Sequence, residues 1–342
     1  MSILRVYKKA QDEQGIKTLT QASKRIKDPF GFRVHYIENE NFYSDAETTL
    51  KTLCDVFKKS AEEQTGAHMP DANMFRPFLQ GDVSLMERAE RKEHRGAFMK
   101  ESQIGLRSDK GEVNVFTRII VGLEKDLDLK GFLGEYIKDE LNTPSNQALM
   151  RYFTTWHENA HLTGCTEPQA DMIGALMCRQ AVEDTSFLSI KADARMIETL
   201  FVSDGVLEKY GWQTTQALDY AIGLPQDTVD GLNEDDMFEI ALMDFDNQKK
   251  TMATVLWAFY DLYEKTHGDP NGAMSIKKAG PICDEILESG RFAPESNEAA
   301  FLERLCLALK RSANPDLYKA PEASQGSPRQ TFASSPPECL SL

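Results

Sequence analysis

The stretch Trp156–Met177, WHENAHLTGCTEPQADMIGALM, constrains this chain more than any other. It opens on an HExxH pattern, His157-Glu158-Asn159-Ala160-His161. Residues four apart share a face only on a helix, so the two imidazoles meet only if this segment is helical. The run Ala148–Phe153 ahead of it has the amphipathic spacing of a helix leading into the motif. Gly164 suits a helix end, because it tolerates a left-handed backbone. Thr166 can cap a second helix, Gln169 can complete a capping box, and Pro168 fits a first turn. The spacing predicts a helix over 145–163, a sharp bend, and a helix over 167–183.

That backbone brings chemistry together. The two imidazoles can reach one metal ion. Glu158, offset by one residue, can reach water held at the metal without itself being a ligand. Catalytic zinc sites use three protein ligands and leave a position for water. Glu167 follows His161 across the bend and is favoured as the third ligand. Asp171, on the same helix face as Glu167, suits a supporting role, accepting the N–H of a ligand His and fixing its tautomer. The opposite assignment, Asp171 as ligand with Glu167 outside, remains open. Cys165, inside the turn, reads as a small residue filling space.

HENAH followed by EPQAD resembles the zincin metallopeptidases, in particular the gluzincin pattern of HExxH with a later E-x-x-x-D. The resemblance covers about residues 145–180. It implies that His157, His161 and Glu167 bind Zn2+, that Glu158 is the general base, and that Asp171 orients a ligand His. The gap between the motifs is shorter than in many gluzincins. With Gly164 it looks like the metzincin HExxHxxGxxH, with Glu167 at the third His position. Both patterns select the same ligand. The implied activity is zinc-dependent hydrolysis of peptide bonds in a peptide or protein substrate. A catalytically inactive zinc-binding interaction protein and a zinc hydrolase of a non-peptide substrate are the alternatives.

Composition bounds the rest. The net charge of −15 argues against nucleic-acid binding and against docking on an anionic membrane. No apolar run approaches the roughly 20 residues of a membrane helix, and the N-terminus lacks the apolar stretch of a secretory signal. The expected compartment is the cytoplasm, with export by a route lacking a cleaved signal left open. The six cysteines form no CxxC pair and read as reduced thiols.

The expected fold is α+β and predominantly α-helical, a zincin-like domain with a small sheet. Residues 112–122, EVNVFTRIIVG with its preceding turn, form the best strand candidate. This strand could add an extended peptide at its edge, although simple packing on the helices is favoured. Residues 45–65 read as a helix, 66–80 as a loop, and 82–100 as a solvated helix. Further helices are expected over 131–141, 189–203, 213–222, 234–246, 248–266, 274–289 and 296–311. The expected divisions are an N-terminal helical and loop region over 1–100, the zincin-like catalytic domain over 101–312, and a disordered Pro/Ser-rich tail over 313–342. Tyr210, Tyr220 and His267 are candidate donors to the developing oxyanion, with no ground for choosing among them. His35, His68 and His94 read as surface residues.

Overall fold

Alternation of buried residues along one strand builds the sheet. The structure, a computed structural model, describes residues 34–318 other than 91–95, 109–110, 125, 134–137, 183, 202–206, 243–248 and 269–275. Strand β1 (Val34–Ile37) is followed by α1 (Asn39–Phe42), α2 (Ala46–Thr65), α3 (Arg76–Gly81) and α4 (Val83–Glu90). Strands β2 (Phe98–Ser108) and β3 (Gly111–Val121) come next. The sheet order is β1-β3-β2. β1 runs parallel to the end of β3, with Val34 opposite Arg118 and Ile37 opposite Val121. β2 is antiparallel to β3, from Phe98 opposite Val121 to Ser108 opposite Gly111.

Val115, Ile119 and Val121 point to one face of β3, where they pack with Leu53 and Phe57 of α2. Ile120 points to the other and joins Val34, Tyr36, Met99, Trp156 and Leu162. That two-residue period is what a strand buried on both faces requires. The sheet therefore lies between α2 and the helix that carries Trp156.

The rest is helical: α5 (Leu129–Leu133), α6 (Pro144–His161), α7 (Glu167–Ala181), α8 (Ser186–Phe201), α9 (Leu207–Gly223), α10 (Gln226–Gly231), α11 (Glu234–Ala241), α12 (Lys249–His267), α13 (Ile276–Glu288) and α14 (Asn297–Ala313). The chain is thus a mostly helical α+β protein with a small sheet. Helix α7 is the centre of the largest core, buried from Ala170 to Ala181 on nearly every side among α6, α9 and α11. A second core joins the end of α8 to α12, α13 and α14 through Met196, Leu200, Phe259, Ile282 and Phe301. No helix among the described residues is long and apolar enough to cross a membrane.

Several local expectations need correction. β3 is the central strand, and both its edges are occupied at residues 118–121, so no peptide can add to it there. Residues 66–80 are not simply loop: Asp71 caps a 3-10 turn at Ala72–Phe75, which continues into α3. Of the helix expected over 82–100, Val83–Glu90 is helical, residues 91–95 lie outside the described residues, and Phe98 already begins β2. At the start of the expected tail, Ala313 ends α14 and Pro315–Tyr318 form a 3-10 turn with Tyr318 buried. Residues 1–33 and 319–342, with Cys339 and most of the expected tail, lie outside the described residues, as does His94. His35 is buried with its Nε2 2.8 Å from Ser60 Oγ, because β1 faces α2 there. The sheet also draws β1 from before residue 100 and β3 from after it.

Candidate metal centre

Local hydrogen bonding explains the bend that builds the site. Helix α6 starts at Thr143, whose hydroxyl accepts from Asn146 N, with Pro144 in the first turn. It ends as Cys165 N donates back to Ala160 O at 3.2 Å, and Gly164 takes φ +87°. That left-handed value favours glycine. Thr166 and Gln169 then form the capping box that starts α7 at Glu167. Close approach of the two helices depends on Gly174: a Cβ there would stand 3.0 Å from the Phe153 ring.

The bend places three donor groups at one point. His157 Nε2 and His161 Nε2 are 3.0 Å apart. Glu167 Oε2 lies 3.4 Å from His157 Nε2, and Oε1 lies 3.3 Å from His161 Nε2. The far sides of both rings are held. His157 Nδ1 stands 2.8 Å from Asp171 Oδ1, and His161 Nδ1 stands 2.8 Å from the carbonyl of Cys165. A carbonyl only accepts, so His161 carries its proton on Nδ1; the Asp171 contact lacks hydrogen-bond geometry, but its negative charge at 2.8 Å favours a proton on His157 Nδ1. With both rings neutral in these tautomers, both Nε2 lone pairs face the gap.

Four-coordinate zinc with bonds of about 2.0–2.1 Å needs ligand atoms about 3.3–3.4 Å apart. The observed separations of 3.0, 3.3 and 3.4 Å are close to that. His157, His161 and Glu167 could therefore hold a divalent metal, and they are the group of this kind found among the described residues. Asp171 lies behind His157 rather than facing the gap, and it is fully buried.

Electrostatics follow from the crowding. Burial pushes the His157 imidazole down, but the Asp171 and Glu167 carboxylates outweigh it and raise its pKa to about 9. The two histidines hold Glu167 well below the usual carboxylate range. Burial opposes ionisation of Asp171, yet Lys191, Arg195 and His157 keep it ionised far below its ordinary value. Burial raises the Glu158 carboxyl.

Beside the donors lies a cavity of about 200 Å3, lined by Leu133, Phe153, Thr154, His157, Glu158, Lys191, Arg195 and Glu198. Lys191, Arg195 and Glu198 come from α8, where spacings of four and three put them on one face. Arg195 Nε lies 3.3 Å from Asp171 Oδ2 and its Nη1 3.3 Å from Glu198 Oε2. Burial and the charge of Arg195 lower the Lys191 pKa to about 8, with Asp171 opposing. Sequence reasoning missed these residues. The signal available was charged side chains repeating at helical spacing within the apolar run of residues 187–200.

Of the candidate oxyanion donors, Tyr220 and His267 do not line the cavity. Tyr220 is partly exposed on α9, and His267 stacks on Tyr263 at the end of α12. The Tyr210 side chain lies outside the described set. Cys165 is half-buried beside Thr163 and offers its carbonyl, not its thiol, to His161. No protein-family model matches the chain, and comparison with curated proteins and with solved structures finds no match.

Proposed function

We propose that this chain is a zinc-dependent peptidase of the zincin type, with His157, His161 and Glu167 as metal ligands and Glu158 as general base. One observation carries the reading: two imidazole Nε2 atoms and a carboxylate converge within 3.0–3.4 Å while both Nδ1 atoms face an oxygen 2.8 Å away. Without metal, the Glu167 and Asp171 carboxylates keep a proton on His157 at neutral pH; a divalent ion would replace that proton and take all three donors.

Zinc, when bound, supplies Lewis acidity toward a scissile carbonyl and toward water. The remaining work falls to side chains of the chain. Glu158 lines the cavity next to His157 on the same helix. Its carboxylate takes a proton from the attacking water as the C–O bond forms, then passes it to the leaving nitrogen as the C–N bond breaks. Burial raises its pKa, moving it toward the operating range of a general base. Asp171 positions the His157 ring through Nδ1. The apolar walls of Leu133 and Phe153 limit water in the cavity and strengthen the local electrostatics.

Metal analysis and peptide hydrolysis test this together. Purified protein is expected to hold about one zinc per chain, lost in His157→Ala. Glu158→Gln should retain the metal and lose about 10²–10⁴-fold in hydrolysis. A wild-type protein that takes up no metal would overturn the reading. Zinc retained without hydrolysis of any peptide would favour a binding role or a non-peptide substrate.

A further inference from the structure

The cavity holds two cations that the proposed hydrolysis does not consume. Lys191 is only 4% exposed. Its nearest carboxylate oxygen in the described structure is Asp171 Oδ1 at 3.8 Å, beyond hydrogen-bond reach. Its ammonium otherwise faces the Phe153 ring, 4.7 Å from the centroid. An ammonium carries three donors, and burying it without acceptors is costly. Asp171 does not need it as sole counter-charge: that carboxylate already meets His157 Nδ1 at 2.8 Å and Arg195 Nε at 3.3 Å. Arg195 is similarly incomplete. Its Nε and Nη1 have partners at 3.3 Å, whereas among the described residues Nη2 has only Glu167 Oε2, at 4.0 Å. Both cations line the cavity alongside Glu158 and His157.

We propose that Lys191, with the Nη2 edge of Arg195, binds a substrate carboxylate next to the bond that is cut. The inference rests on the hydrolytic reading above and names its substrate class: peptides with an acidic side chain or a free C-terminus beside the scissile bond. Charge-assisted hydrogen bonds from ammonium and guanidinium to carboxylate are the strong class. The walls from Leu133 and Phe153 lower the local dielectric and strengthen them further. At about 200 Å3 the cavity is smaller than a typical drug-sized site and suits one short group. The chain's net charge of −15 gives an acidic peptide no long-range attraction, so selection has to be local.

The test uses the full chain carrying Glu158→Gln, loaded with zinc and titrated calorimetrically with four peptides. Acetyl-Ala-Asp-Ala-amide is paired with its Asn counterpart, and acetyl-Ala-Ala-Ala as the free acid is paired with its amide. One carboxylate peptide is expected to bind about tenfold more tightly than its neutral partner, and which pair responds identifies the source of the carboxylate. Lys191→Met should erase that advantage with zinc content unchanged; Lys191→Gln replaces it where Lys191→Met fails to fold. Equal binding within both pairs overturns the proposal, as does an advantage that survives loss of the ammonium. If the protein takes up no zinc, the hydrolytic reading falls, and the same titrations on metal-free protein still decide the carboxylate subsite.

Discussion

Replacing Asp171 by Asn changes almost no volume and removes one buried charge, so it isolates what that charge does. Asp171 is fully buried. Its oxygens lie 3.3 Å from Arg195 Nε, 3.8 Å from Lys191 Nζ and 2.8 Å from His157 Nδ1. At an effective dielectric of about 20, an ion pair near 3.5 Å is worth roughly 5 kcal/mol before desolvation. Breaking a buried pair while its partner stays behind costs about 3–5 kcal/mol net. Asp171→Asn should therefore lower the unfolding free energy of the metal-free protein by about 3–5 kcal/mol at pH 7, read from urea denaturation. The amide oxygen can still accept from His157, but without charge, so zinc affinity should fall about 10–100-fold, read by competition with a chelator. The pH profile adds a sign. The folded pKa of Asp171 is depressed, so its stabilisation is full above about pH 4 and is lost as pH falls through the folded value. The variant should lose that part of the acid limb. A stability change below about 1 kcal/mol together with unchanged zinc affinity would refute the reasoning.

Gly174→Ala puts a Cβ 3.0 Å from the Phe153 ring, and that ring is wedged between His157 and Phe187 at 6.1 and 6.3 Å. Overpacking costs about 1–3 kcal/mol, against about 1 kcal/mol gained from helix propensity. A net loss in the urea midpoint is expected, with weaker zinc binding as His157 shifts; a stabilised variant would contradict the close-packing account. In metal-free protein the His157 pKa is raised to about 9. Its stabilisation is full below about pH 6.5 and is lost as pH rises through about 9, up to about 3 kcal/mol in all. Urea melts between pH 6 and 10 without metal should show that decline. Zinc added at pH 7 should release a proton, measurable as a buffer-dependent binding enthalpy.

The convergence of His157, His161 and Glu167 was legible in the sequence because everything that builds it is local. His157 and His161 share a face through the helical repeat, and Gly164, Thr166 and Gln169 specify the bend through backbone hydrogen bonds only a few residues long. Helix boundaries elsewhere were readable for the same reason, as with α2, where Asp45 caps one end and Gly66 ends the other. Strand β3 was recognisable from its β-branched residues, but not its place in the sheet. Its parallel partner, Val34–Ile37, lies some eighty residues earlier, and nothing in local periodicity names a distant partner. The cationic wall was hidden in the same way. The sequence sets Lys191, Arg195 and Glu198 on one face of a helix; only the packing of α8 against α6 and α7 turns that face toward Asp171 and the cavity. The sequence by itself determined the three candidate donors and the bend that gathers them. Tertiary contacts decided what stands opposite, because that depends on which distant surfaces bury one another.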